Sequence, residues 1–229
     1  MLSCSMIWPF SLLPRFRPIA AISSLPSINL EEARKRARIL VIDDDPAAFP
    51  LSGMENEGYT VRHWSEVKSY QELESGEYDI IVLDIHGIAP DLPGNSGVAV
   101  LEHIKRYNPA QIVIAFSGKK YDIKQGAFFK LADDVMMKPA YLMECKQKID
   151  DLLRSRFSVG HYWAALKIEL ETRGVSHDRI KNLEGEIVAA AKANKAPDEY
   201  TLEKTLKTTK EVVTIVSTIV GIILRIAAA

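Results

Sequence analysis

The stretch ILVIDDDP, Ile39 to Pro46, is four apolar residues running straight into three aspartates and a proline. An unbroken apolar run this short, with no polar alternation, fits a strand covered on both faces better than a half-exposed one. The same pattern recurs along the chain. It predicts strands at Arg38–Asp43, Tyr59–His63, Asp79–Asp84, Gln111–Phe116 and Asp133–Met137, each followed by a segment able to form a helix. Alternation of this kind means α/β: a five-stranded parallel sheet sandwiched by helices, followed by an all-α extension. Pro50 and Gly53 shorten the first crossover, whereas Val98, Leu101 and Ile104 give the third a clear helical face before Asn108–Pro109. The last crossover, Leu142 to Arg156, carries Leu142, Ile149, Leu152 and Leu153 on one stripe.

In a parallel sheet, ligands bind beyond the carboxyl ends of the strands, so the residues closing each strand carry the functional information. Here they are polar. ILVIDDDP closes in Asp43, Asp44 and Asp45, IIVLD (80–84) in Asp84, IVIAFSG (112–118) in Ser117, and VMMKP (135–139) in Lys138. Clustered carboxylates repel one another unless a cation compensates them, and a few carboxylate oxygens with a main-chain carbonyl and waters suit Mg²⁺. Ser117 and Lys138 could then hold phosphoryl oxygens while a carboxylate attacks in line, and Asp84, alone at the end of a central strand, is the best nucleophile.

These four motifs, in this order, resemble the response-regulator receiver family over residues 36–156. The resemblance implies a flavodoxin-like, CheY-like receiver fold and a phosphorelay function: a phosphoryl group accepted on Asp84 from a histidine kinase or phosphotransfer protein, with no enzymatic turnover of its own. It further implies that Asp43, Asp44, Asp84 and the main-chain carbonyl of His86 hold Mg²⁺, and that Ser117 and Lys138 are the conserved hydroxyl and lysine. Two departures stand out. Val135 occupies the place of a switch aromatic, and the loop IHGIAPDLPGNSG (85–97) is long, contains Pro90 and Pro93, and is expected to cover the site or restrict a kinase's access.

A second resemblance, to haloacid dehalogenase-like phosphatases, would use Asp43 and Asp45 as a D-x-D pair, Ser117 as a second motif, and Asp133 and Asp134 as late metal ligands. Ala47 replaces the threonine that such a site expects, and IIVLD then has no role. A third reading is a receiver-like interaction module whose helical tail works at membranes or in self-assembly.

The remainder of the chain is divided as residues 1–35, a flexible N-terminal extension with a short lead-in helix capped by Asn29, and residues 157–229, a helical region. Prolines 9, 14, 18 and 26 break up the apolar start, and Arg15 and Arg17 follow the run Ile7–Leu13 where a secretory signal would place charge first. In the tail, Trp163, Leu166 and Leu170 precede a Gly174 cap, Ser176 opens a helix carrying Ile180, Leu183 and Ile187, and a third helix runs from Pro197 to the apolar end.

Val212–Leu224 makes about 20 Å of helix, short of the roughly 30 Å that a bilayer core needs. Its stripe of Thr214, Ser217, Thr218, Gly221 and Arg225 suits close helix packing, so burial or homo-oligomer formation is set beside membrane contact. A net charge of −1 and no basic stripe argue against nucleic acid. Cys4 and Cys145, the only cysteines, match neither a disulfide framework nor a metal spacing, which fits a cytoplasmic protein.

Overall fold

The computed structural model describes residues 21–92, 96–118 and 130–228. A 3₁₀ turn at Ile22–Ser24 and helix α1, Leu30–Arg36, lead into the sheet. The sheet is formed by β1 (Arg38–Ile42), β2 (Thr60–Trp64), β3 (Ile80–Asp84), β4 (Ile112–Ser117) and β5 (Asp134–Met137). All pairings are parallel, in the order β2-β1-β3-β4-β5. Helices α2 (Leu51–Asn56), α3 (Tyr70–Glu74) and α4 (Gly97–Tyr107) join the first four strands, and α5 (Leu142–Arg156) follows β5. The expected strands are all present; β2 sits one residue later than read, ending on buried Trp64.

Because side chains alternate along a strand, each strand supplies two cores. Ile39, Val41, Ile80, Val82, Ile112 and Ile114 face Met54 of α2 and Cys145, Ile149, Leu152 and Leu153 of α5. Leu40, Ile42, Ile81, Leu83, Val113 and Ala115 face Leu73 of α3 and Val100, Leu101 and Ile104 of α4. Central strands covered on both faces cannot alternate apolar with polar residues, which is why β1, β3 and β4 read as continuous apolar runs.

The lead-in helix is docked. Asn29 caps it by accepting from Glu32 N–H at 3.0 Å, and its Arg34 pairs with Asp150 of α5. Asp150 Oδ1 also accepts from Tyr59 Oη at 2.6 Å. The backbone N–H of Ile22 donates to Glu184 at 2.8 Å. The expected lead-in helix is thus present, and residues 21–36 are tied down through Ile22 and Arg34; the prolines and arginines of 1–20, with Cys4, lie outside the described residues.

After α5 come α6 (Val159–Thr172), α7 (His177–Ala193), α8 (Glu199–Leu206) and α9 (Lys210–Ala227). The single helix expected beyond Pro197 is two. Lys207 adopts left-handed geometry, φ 47°, and its N–H closes α8 on Glu203 O, so the chain turns before Thr209 opens α9. The α9 residues Val213, Val216, Ile219, Val220 and Ile223 are buried in the core that continues from α5 through α6–α9. The stripe assigned to close packing is split: Thr214, Ser217 and Gly221 are exposed, whereas Thr218 and Arg225 are half-buried, Arg225 pairing with Asp79. Among the described residues, no helix is long and apolar enough to cross a membrane.

Candidate functional site

β1 delivers Asp43 to the carboxyl edge of the sheet, and two bonds from β2 hold it there. Its N–H donates to Trp64 O at 3.0 Å, and its carbonyl lies 2.9 Å from His63 Nε2. Asp43 is fully buried, Asp44 is exposed, and Asp84 at the end of β3 is buried. One carboxylate oxygen from each of Asp43, Asp44 and Asp84 lies within 4.8 Å of the others. Asp84 Oδ1 accepts from the N–H of Ile85 at 2.6 Å, which fixes the carboxylate against the start of the following loop.

Lys138, at the end of β5, reaches across the edge. Its Nζ lies 2.6 Å from Asp43 Oδ2 and 2.6 Å from Asp84 Oδ2, and 5.2 Å from the centre of the Phe116 ring. The Lys138–Pro139 peptide is cis. Burial alone would lower the Lys138 ammonium, but hydrogen bonds and charge from Asp43 and Asp84 outweigh it and hold the group above its ordinary range. Burial pushes the Asp43 carboxyl up, and Lys138 and the Asp45 N–H oppose that without cancelling it. Ser117, buried, pairs with Met137 across β4 and β5, and its carbonyl accepts from Lys138 N–H at 3.0 Å.

Asp43, Asp44, Asp84 and Lys138 thus meet at one sheet edge, with Ser117 closing the adjacent strand β4 and Asp45 apart from them. Its carboxylate accepts from Ala47 N–H at 2.9 Å, an exposed turn outside the acidic trio. Asp133 and Asp134 stand at the opposite end of the sheet. Asp133 ties β5 to Val113 N–H, to Lys105 and to Arg156, and Asp134 pairs with Lys148. Neither can serve a metal held by Asp43, so the D-x-D arrangement does not assemble.

Sequence reasoning missed two glycines. Gly87 has φ +81°, and a Cβ there would meet Asp44 Oδ2 at 2.6 Å. At Gly97 a Cβ would meet the Asp84 carbonyl oxygen at 2.0 Å. The signal was present in the loop sequence as Gly at the third position after Asp84 and again at the start of α4, but the close approach that demands it is tertiary. The loop is anchored as well as long: His86 bridges Ser96, Gly97 N–H donates to Ile85 O at 2.7 Å, and Val67 N–H donates to Ile88 O at 2.7 Å. Ile85, Ile88 and Ala89 are packed into the α3–α4 core, while Gly87 between them lies against Asp44. Pro93 lies outside the described residues, as do Lys119, Lys120, Phe128 and Phe129 of the fourth crossover. Val135, at the expected switch position, is half-buried beside Ala115.

Residues 39–150 match the family model of the response regulator receiver domain. Among curated proteins, the chain is 27% identical over 121 residues to the transcriptional activator protein IrlR of Burkholderia pseudomallei, covering 51% of this chain and 50% of that protein. It is 37% identical over 84 residues to the transcriptional regulatory protein CiaR of Streptococcus pneumoniae, covering 36% and 35%. The chain therefore spans half or less of the length of these relatives. Similar solved structures include a CheY-like receiver domain protein from Methanospirillum hungatei, 25% identical over 52% of this chain and 95% of that one, TM-score 0.44. The receiver domain of NtrX from Brucella abortus is 22% identical over 51% and 98%, TM-score 0.43.

Proposed function

Residues 39–150 are a response regulator receiver domain, and we propose that this one takes a phosphoryl group on Asp84 from a histidine kinase or phosphotransfer protein in a Mg²⁺-dependent reaction. The observation that carries the reading is the single ammonium of Lys138 placed 2.6 Å from both Asp43 and Asp84. A carboxylate nucleophile needs a cation beside it to accept a phosphoryl group already rich in negative charge.

The donor set fits a hard divalent ion: three carboxylates with oxygens within 4.8 Å of one another are the oxygen ligands that Mg²⁺ prefers. Asp43, Asp44, Asp84 and the His86 carbonyl would hold it, and when bound it would neutralise phosphoryl oxygens. The protein's own part is then plain. An Asp84 carboxylate oxygen forms the new O–P bond while the donor's P–N bond breaks, its electron pair returning to the imidazole nitrogen. Lys138 turns from the carboxylates to the incoming phosphoryl oxygens, and the Ser117 hydroxyl donates to another of them. The reaction is a stoichiometric self-modification and not turnover, and it belongs in the cytoplasm beside its kinase.

Incubating the protein with Mg²⁺ and acetyl phosphate should add one phosphoryl mass, and Asp84→Asn should abolish it. Labelling that survives in Asp84→Asn would refute the assignment.

The names of the relatives favour a second reading of the output, transcriptional control, against the expectation from a net charge of −1 and no basic stripe that the chain does not bind nucleic acid. DNA retarded in a gel by the phosphorylated protein, and not by Asp84→Asn, would establish it.

A further inference from the structure

β3 has a buried carboxylate at each end: Asp84 at its carboxyl end, and Asp79 immediately before its first residue. Asp79 is 0% exposed, so its charge must be answered by protein groups. Arg38, at the start of β1, donates its backbone N–H to Asp79 Oδ2 at 2.8 Å, with its Nε 3.6 Å away as an ion pair. The other partner is remote in sequence. Arg225, in the last turn of α9, forms an ion pair with Asp79 Oδ1 and donates to the Gly76 carbonyl at 3.2 Å. Arg38 Nη2 donates to that same carbonyl at 2.8 Å, and Arg36 closes the arrangement by donating to the Arg225 carbonyl at 2.8 Å.

Packing follows the charges. Gly76 turns the chain between α3 and β3 with φ +71°, and a Cβ there would lie 2.9 Å from Ile222. The Ile222 side chain of α9 thus rests directly on the backbone of this turn. Among the described residues, Arg225 is the one cation that the tail contributes to Asp79, and withdrawing it would leave a buried charge half answered. Undocking would also expose Ile222 and Ile226, both buried in the seated state.

We propose that helices α6–α9 form an intramolecular cap on the amino end of the sheet, locked by Asp79 between Arg38 and Arg225, in place of a freely tethered output unit. The cap holds the strand that carries Asp84 from its opposite end. This inference does not depend on the phosphoryl-transfer reading, because its test uses no phosphodonor.

The experiment is amide hydrogen exchange, read by mass spectrometry on the full chain, comparing wild type with Arg225→Gln and Gly76→Ala. Arg225→Gln removes the tail's half of the lock. Gly76→Ala wedges a methyl group under Ile222 in a backbone geometry that alanine resists. The expected result is exchange at least tenfold faster in peptides covering both 210–227 and 80–84, in either variant. Wild-type protection of 210–227 in both variants would overturn the lock, and loosening of 210–227 with 80–84 unchanged would overturn the hold on the strand. Should Arg225→Gln fail to fold, Gly76→Ala decides by the same two readouts.

Discussion

Gly97 approaches Asp84 so closely that a methyl group on Gly97 would lie 2.0 Å from the Asp84 carbonyl oxygen. The obstacle is backbone, which cannot rotate away as a side-chain tip can, so Gly97→Ala must displace either the first turn of α4 or the end of β3. Overpacking of this kind costs about 3 kcal/mol. Urea denaturation should show that loss, and acetyl phosphate labelling should fall with it because the displaced residue is Asp84 itself.

Lys138 separates two effects that are usually entangled. It sits between Asp43 and Asp84 as the only cation paired with either among the described residues. Replacing it by methionine keeps length and removes charge. The more negative pocket should bind Mg²⁺ several-fold more tightly in calorimetric titration, while phosphoryl capture drops at least tenfold for want of the cation that meets the incoming oxygens. Weaker Mg²⁺ binding in Lys138→Met would contradict the idea that Lys138 competes with the metal for the same carboxylates.

Cys145 should be chemically silent in the folded protein. It is fully buried beside Met136, and burial, helped by the charge of Glu144, pushes its thiol up to about 12. At pH 8 only about one thiol in ten thousand is then ionised, and the thiolate is the reactive species. Iodoacetamide at pH 8 should leave the Cys145 peptide unmodified in native protein and alkylate it fully in urea.

What the sequence made legible and what it hid follow one physical division. Strand ends declare themselves locally, since an apolar run that stops at Asp43, Asp84, Ser117 or Lys138 needs no partner to be read. The docking of the extensions does not. Arg225 and Asp79 are 146 positions apart and Arg34 and Asp150 are 116 apart, and nothing in the neighbourhood of either member announces the other. The tail misled for a related reason: small residues at helical spacing permit close packing without requiring it, and in α9 the flanking Val and Ile residues take the buried side, leaving Thr214, Ser217 and Gly221 outside. Lys207 was missed because a left-handed residue that is not glycine or asparagine carries no compositional mark.

The link between α1 and α5 should give the fold an acid-sensitive component. Burial by itself would raise the Asp150 carboxyl, but hydrogen bonds from Arg34 and Tyr59 outweigh it and hold the group below the ordinary carboxylate range. A carboxyl depressed on folding stabilises the native state at pH values above its unfolded value, about 3.9, and loses that contribution as pH falls through the lower folded value. At pH 7, Asp150→Asn should therefore cost about 2 kcal/mol, because a neutral amide would face the Arg34 guanidinium in place of the carboxylate. The gap between wild type and variant should stay constant down to about pH 4 and close below it, as protonation converts Asp150 into a neutral group like the amide that replaces it in the variant. Thermal melting of both proteins between pH 2 and pH 7 measures the gap directly. A gap that persisted unchanged to pH 2 would mean that the loss came from packing around Tyr59 and not from the ion pair.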